Sequence, residues 1–272
     1  MKVPEIKMPT VASKLTGIFK PKPVFNQPVN TEKRYHISRT LYLTGLVLLL
    51  GLSTATVILK AITINFIEDN RNTGFIFETG DEEPTVLAAL PRNLHRAPPK
   101  LALVAGAVSL FVAIGHLIFV AIDWKKGKRT QAYAFRRNVM FIHFMNSIII
   151  LFALVSLFVT HKSTSHFSER YIMRKADRTT NEGVRYNIGT FDLETWACEL
   201  KTVDGAAMVK DDYTRQCSVE EVGRGIMIPL MIIAFVLSFA GIADMMKCRK
   251  DANDVTMKTE DVDAEMSKFN AI

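Results

Sequence analysis

Four long apolar stretches are the feature that most constrains how this chain folds. They comprise residues 41–59, 101–122, 138–160 and 226–243. A helix needs about 20 apolar residues to cross the hydrocarbon core of a bilayer, and each stretch is close to that length. Hydrophobic residues make up 49% of the chain, and the remaining polar chain is too short to enclose four such helices. The sequence therefore predicts an all-α membrane protein with a bundle of four transmembrane helices.

Basic residues at the ends of these stretches predict the orientation, because lysine and arginine near span ends collect on the cytoplasmic side. The three basic clusters are Lys33, Arg34 and Arg39; Lys125, Lys126, Lys128, Arg129, Arg136 and Arg137; and Lys247, Arg249 and Lys250. In a four-span chain all three lie on one side of the membrane. Both termini are thus predicted to be cytoplasmic, and the net charge of +7 reflects topology, not nucleic-acid binding.

The predicted organisation has three parts. Residues 1–39 form a basic cytoplasmic region, residues 40–246 form the four-span membrane domain, and residues 247–272 form a cytoplasmic tail. The membrane domain carries two outer loops, 60–100 and 161–225. We expect the first to be irregular surface chain because several prolines interrupt it. Only the second is long enough to fold into a small ectodomain.

Two cysteines distinguish the second outer loop. Cys198 and Cys217 lie on a segment predicted to face an oxidising compartment, so we expect a disulfide, with free thiols as the alternative. Trp196 and Tyr213 provide apolar material for a small core around the bridge, and they are also candidates for a partner surface. The loop's carboxylates lack calcium-loop spacing and are predicted to form a solvated acidic face. They are Glu194, Glu199, Asp204, Asp211, Asp212, Glu220 and Glu221.

Polar residues inside the spans are informative because each is costly in hydrocarbon. His116, His143 and Asn146 fall in the inner half of their spans, and Thr44 and Ser238 reach similar depths. We predict a polar layer shared between helices, which serves either to pack the helices or to relay protons or ions. Lys60 and Asp244 lie at span ends, where each is expected to reach the interface. Pro229 falls in the first turn of span four, where its missing N–H costs little.

Cys248 stands apart from the other cysteines. It follows span four in the basic segment Met246–Lys250. A juxtamembrane cysteine among basic residues is a candidate for reversible S-acylation, and an unmodified thiol is the alternative.

The motifs of common enzymes are not present in the sequence. It contains no glycine-rich phosphate loop, no zinc-binding histidine signature and no Gly-x-Ser-x-Gly elbow. We therefore expect neither an enzyme, nor a cofactor, nor a metal site.

A resemblance rests on the segment after span three. The chain reads Phe-Asp-Leu-Glu-Thr-Trp-Ala-Cys-Glu-Leu from residue 191, then Arg-Gln-Cys-Ser-Val-Glu from 215 and Gly-Arg-Gly from 223. This segment resembles a group of uncharacterised four-span membrane proteins of filamentous fungi. The layout is similar to that of tetraspan organisers, but the cysteine motifs of tetraspanins, claudins and connexins are missing. The resemblance implies no known reaction.

These features favour a non-enzymatic membrane organiser or scaffold that contacts partners through its second outer loop. The alternative is a transport or channel subunit that uses the inner polar layer. The expected partners are the lipid bilayer and other membrane proteins, and self-association is left open. The plasma membrane is the first choice of location, with an endomembrane as the alternative.

Overall fold

A computed structural model describes residues 32–78, 85–126, 133–176 and 184–269 of the 272-residue chain. Most of this chain is helical. The helices are α1 (Glu32–Asp69), α2 (Ala97–Lys126), α3 (Tyr133–Lys162), α4 (Glu169–Ala176), α5 (Leu193–Leu200), a 3-10 helix (Asp204–Val209) and α6 (Lys210–Phe269). The strands are β1 (Gly74–Phe77) and β2 (Thr85–Ala88).

Four segments of the described chain are long and apolar enough to cross a membrane. They are Thr40–Asp69, Ala97–Ala121, Arg137–Lys162 and Asp204–Ala243. Each overlaps one of the four apolar stretches, so the prediction of four helices long and apolar enough to span a membrane is confirmed. The helices extend beyond the predicted spans: α1 continues to Asp69 past the predicted end at residue 59, and α6 begins at Lys210, before the predicted start at residue 226, and continues to Phe269.

The four long helices pack as a closed ring of neighbours. α1 contacts α2 and α6, and α3 contacts the same two helices. Leucine and alanine side chains fill the centre, as at Leu46, Ala105 and Leu230. Large side chains such as Phe111 and Phe152 are exposed on the outside of the ring, as a surface in contact with lipid requires.

Small residues allow the helices to approach closely. A Cβ atom added at Gly106 of α2 would lie 3.2 Å from the methyl carbons of Thr56 and Val57 on α1. Ala102 and Ala105 are fully buried in the same bundle. The small residues of span two thus face other spans of the same chain. Gly51, by contrast, is exposed.

The segments between the spans form a folded cap, which we define as residues 70–78, 85–96, 163–176 and 184–209. β1 and β2 pair antiparallel, with Phe75 opposite Leu87 and Ile76 opposite Val86. Phe75 and Leu87 are buried, while Ile76 and Val86 are exposed. The prediction of an irregular first outer loop is therefore wrong for these strands, because alternate apolar side chains give the hairpin a buried face.

Backbone hydrogen bonds join the two predicted outer loops into one unit. Val184 bonds to two residues of β2: Ala88 N donates to Val184 O at 2.9 Å, and Val184 N donates to Val86 O at 2.7 Å. Farther along, Phe191 N donates to Asn93 O at 3.0 Å. The cap is consequently a product of both loops, not of the second alone.

α6 begins well before the fourth predicted span. Pro229 therefore lies inside the helix and not in its first turn, so that expectation is wrong. A proline inside a helix removes the hydrogen bond to the carbonyl four residues earlier, here that of Gly225. Packing against α1 and α3 extends the helix through this break.

Candidate functional site

The core of the cap is an aromatic cluster centred on Trp196. Its ring centroid lies 5.5 Å from those of Tyr186 and Phe167 and 5.3 Å from that of Phe191, all at edge-on angles. Trp196 Nε1 donates to Ala89 O at 2.9 Å. Such edge-on pairs add to the stability gained from burying the rings. The cluster fixes α5 against the segment that follows β2.

Trp196 and Tyr213 do not form a partner surface, and that prediction is wrong. Trp196 is fully buried and Tyr213 nearly so. The Tyr213 hydroxyl donates to Ala89 O at 2.6 Å, the same carbonyl that Trp196 contacts. Their role as core residues follows from their size and from the partner each polar atom finds inside the cap.

The Cys198–Cys217 disulfide is present. It links α5 to α6, with the two Cα atoms 4.9 Å apart. Cys217 belongs to the same buried core as Trp196 and Tyr213. The bridge therefore attaches the cap to the helix that continues into the membrane.

A cavity of about 770 Å³ lies where α3 ends and the cap begins. We call it the junction cavity. Its lining residues come from the end of α3, the chain after it, α5 and α6. They are Phe158, Val159, His161, Lys162, Thr164, His166, Glu194, Thr195, Cys198, Glu199 and Arg224.

Charged side chains meet at the wall of the junction cavity. Arg224 Nη2 donates to Glu194 Oε1 at 2.7 Å. His161 Nδ1 lies 2.9 Å from Asp192 Oδ2 and 3.8 Å from Glu194 Oε2. Asp192 also caps α5, because its Oδ1 accepts from Thr195 N at 3.3 Å. These contacts hold two carboxylates side by side at the start of α5.

Burial shifts the pKa of Glu194. It raises the pKa of this carboxyl above the ordinary value of 4.5, while the positive charges of His161 and Arg224 act in the opposite direction. Desolvation is the larger effect because the side chain is 9% exposed.

A metal ion is one ligand that this geometry accommodates. The donor atoms of His161, Asp192 and Glu194 all lie within 4.8 Å of one another. Arg224 and the α5 cap already use oxygens of both carboxylates, so the charges are partly balanced within the protein.

His166 and Glu199 form a second pair of polar side chains in the lining of the cavity. His166 Nδ1 is 2.6 Å from Glu199 Oε1, and Glu199 Oε2 accepts from Phe167 N at 2.6 Å. The Glu199 side chain is 26% exposed. The cavity thus presents carboxylates and cations together.

The predicted acidic face is wrong for Glu194 and Glu220, which are buried and paired. It holds for Asp204, Asp211, Asp212 and Glu221, which are exposed. Sequence composition identified the charges but not which of them had partners.

Lys60 and Glu220 form a buried ion pair between α1 and α6. Lys60 Nζ lies 2.7 Å from Glu220 Oε2, and the Lys60 side chain is fully buried. Thr63 and Gln216 both donate to Glu220 Oε1, the latter at 3.3 Å. Gly223 permits the approach, since a Cβ atom there would lie 3.1 Å from Lys60 Nζ. The prediction that Lys60 reaches the interface is therefore wrong.

The sequence did contain a signal for this pair. Lys60 and Thr63 are three residues apart, and Gln216 and Glu220 are four apart, so each pair lies on one helix face. The pair was not predicted because all four residues fall in segments predicted to be outer loops, where helical spacing was not expected. The Asp244 side chain lies outside the described residues.

The structure brings together some residues of the predicted inner polar layer. His116 Nδ1 is 2.9 Å from His143 Nε2. Ser109 Oγ donates to Asn146 Oδ1 at 2.9 Å, and Ser147 Oγ donates to Ala234 O at 3.0 Å. Ser109 and Ser147 were not predicted to take part.

Ser238 and Thr44, the other two residues of the predicted polar layer, lie in different environments. Ser238 is buried in the bundle, whereas Thr44 is exposed and donates to Thr40 O of its own helix. Thr44 is thus not part of the layer, because its hydroxyl is satisfied locally. Among the described residues, His143 Nδ1 and Asn146 Nδ2 are buried without a hydrogen-bond partner.

Several predicted features lie outside the residues that the structure describes. Residues 1–31 are not described, and neither is the side chain of Cys248, although its backbone belongs to α6. S-acylation of Cys248 stays a prediction.

The fold and site define a four-span membrane protein with a disulfide-linked cap. No protein-family model, curated protein or solved structure matches the chain. The resemblance to four-span proteins of filamentous fungi stays a prediction.

Proposed function

We propose that this protein is a non-enzymatic membrane organiser, with the cap as its recognition element for other integral membrane proteins. The observation that carries the proposal is the way the cap is joined to the spans. α6 leaves the cap without a linker, and Cys217 near its start is bonded to Cys198 of α5. A partner bound to the cap is thereby held in fixed relation to the bundle.

The proposed contact surface is the exposed side of the hairpin, in place of Trp196 and Tyr213. Ile76 and Val86 are direct cross-strand partners and are 47% and 49% exposed. Their opposite face is anchored in the core by Phe75 and Leu87. Apolar side chains on a rigid hairpin are suited to a protein contact at the membrane surface.

Site-specific photocrosslinking in native membranes tests this proposal. A photoreactive residue at Ile76 should yield discrete adducts with one or a few membrane proteins, and Val86→Lys should abolish them. The matched control is Phe111, which is 74% exposed on span two and should crosslink mainly to lipid. Identical adduct patterns at Ile76 and Phe111 would contradict a specific role for the cap.

The alternative function is a transport or channel subunit. The contact between His116 and His143, together with the unpartnered His143 Nδ1, favours it. Buried histidines inside a span are typical of proton and ion relays as well as of packing contacts. Both interpretations place His143 at the centre of the layer.

Flux from purified protein in liposomes separates the two functions. Robust, saturable flux that His143→Leu removes would support transport and contradict the organiser. His143→Leu with unchanged melting, assembly and flux would eliminate both roles of the polar layer. The organiser proposal expects no flux and intact crosslinking from the cap.

A further inference from the structure

We propose that the junction cavity binds the headgroup of an ethanolamine phospholipid in the leaflet on the cap side. Arg224 and Lys162 would hold its phosphate, and Glu194 and Glu199 would accept from its ammonium group. This inference does not depend on the organiser function, because it concerns a lipid site and not the hairpin surface.

The position of the cavity matches the boundary between hydrocarbon and headgroups. Phe158 and Val159 belong to the last turn of a membrane span and are 37% and 60% exposed. After Thr160, His161 and Lys162 end the helix. At 1.5 Å per residue, the wall changes from apolar to charged over about 6 Å. A lipid changes in the same way along its length, from apolar chains to a charged headgroup.

The guanidinium of Arg224 has N–H groups that could donate to a phosphate. A guanidinium offers five N–H groups, and this one donates Nη2–H to Glu194. Its Nε–H is too buried to meet a ligand, so the phosphate would be held by the remaining Nη N–H groups of a side chain that is 25% exposed. Lys162 is exposed at the rim and forms no ion pair with the described part of the chain. Arginine and lysine are the usual phosphate ligands.

The balance of charge favours a zwitterionic headgroup. The lining residues include two fixed cations, Lys162 and Arg224, and two carboxylates, Glu194 and Glu199. A headgroup with net negative charge would meet both carboxylates at close range. A headgroup that carries an ammonium as well as a phosphate complements both signs.

The cavity also distinguishes ethanolamine from choline. A quaternary ammonium is recognised by the faces of several aromatic rings. Phe158 is the single Phe, Tyr or Trp among the described lining residues, and Arg224 Cζ lies 5.3 Å from the centre of its ring. A primary ammonium instead donates three hydrogen bonds, which carboxylates accept.

Lipid binding to the purified full-length protein in detergent tests the proposal. Phosphatidylethanolamine, phosphatidylcholine and phosphatidylglycerol with identical acyl chains would be titrated, with bound lipid read by native mass spectrometry. We expect phosphatidylethanolamine to bind about tenfold more tightly than either other lipid, since a hydrogen bond to a charged group is worth that much or more. Glu194→Gln should reduce this preference several-fold, whereas Lys162→Ala should weaken binding of all three lipids several-fold, because the phosphate is common to them.

Lys100→Ala is the matched control, because Lys100 is an exposed lysine at the cap-side end of span two. It should leave both the affinity for each lipid and the preference among them unchanged. Lys162 is exposed, so its replacement tests the site even if Glu194→Gln fails to fold. Equal binding of the three lipids, or equal effects of Lys162→Ala and Lys100→Ala, would overturn the proposal.

Soluble competitors identify the source of the bound group. Phosphoethanolamine should compete only weakly, because it lacks the chains that contact Phe158 and Val159. Displacement of the lipid by inorganic phosphate alone at the same concentration would show a simple anion site. Tight Zn²⁺ binding that His161→Ala abolishes and lipid does not affect would assign the cavity to a metal. Either result would overturn the lipid site.

Discussion

At the residue scale, the stability of the bundle depends on the buried ion pair between Lys60 and Glu220. Removing one partner leaves the other charge buried without compensation. We therefore expect Lys60→Met to destabilise the protein by about 3–5 kcal/mol. Denaturant unfolding in detergent micelles measures this, with Lys100→Met as a control at an exposed lysine.

The double variant Lys60→Met/Glu220→Met should recover much of the loss, because no unpaired charge remains. Similar unfolding midpoints for Lys60→Met and Lys100→Met would show that the ion pair does not stabilise the bundle.

Glu194 predicts a pH dependence of stability. Its pKa is raised in the folded state by burial, so the folded protein holds a proton that the unfolded chain has already lost. Between the ordinary pKa of 4.5 and the raised folded value, stability contributed at this site falls as the pH rises. Glu194→Gln lacks this effect, so the wild type should lose stability relative to the variant as the pH rises above the ordinary pKa of 4.5. Melting curves of both proteins across that range measure it, and a difference that does not change with pH would contradict the prediction.

The sequence predicted individual residues unevenly. Cys198 and Cys217 were predictable because two cysteines on one loop have few alternatives. Trp196 and Lys60 were misplaced for a common reason. Whether a large or charged side chain is buried depends on which distant segment packs on it, and the segments that cover these two come from other parts of the chain.

At the scale of elements, contact between α1 and α2 depends on Gly106. Gly106→Leu forces a side chain against Thr56 and Val57, and overpacking of this kind costs about 1–3 kcal/mol. Gly115→Leu is the matched control on the same helix, since Gly115 is exposed and a Cβ atom there meets nothing within 4 Å. Thermal melting in micelles should separate the two variants. Equal melting temperatures would mean that α1 and α2 do not pack through Gly106.

The existence of the spans was predictable, but their ends were not. The apolar stretches mark the part of each helix that meets hydrocarbon. Outside that layer the continuation of α1 and α6 depends on packing within the cap, which local sequence does not specify. The hairpin had a weak signal in the apolar run Phe75, Ile76 and Phe77, but three consecutive apolar residues do not by themselves indicate a strand, and which of them is buried is not written in the sequence.

At the scale of the whole molecule, the disulfide should decide whether the cap stays folded. It closes a ring of about 20 residues, which corresponds to roughly 3 kcal/mol on the chain-entropy model. We expect Cys198→Ser/Cys217→Ser to make the cap sensitive to proteases while the spans stay helical. Limited proteolysis with circular dichroism measures both properties. Cys248→Ser should have no effect, and a double variant as resistant as the wild type would show that packing alone holds the cap.

The cap is predicted to face away from the cytoplasm, and the disulfide, the partner surface and the lipid leaflet all depend on this orientation. Labelling with a membrane-impermeant maleimide tests it directly, in a Cys248→Ser background. Met208 is 74% exposed on the cap, so Met208→Cys should be labelled in intact cells. Ser267→Cys, in the tail, should be labelled only after permeabilisation. The opposite pattern, with the tail labelled in intact cells and the cap protected, would contradict the orientation and every proposal built on it.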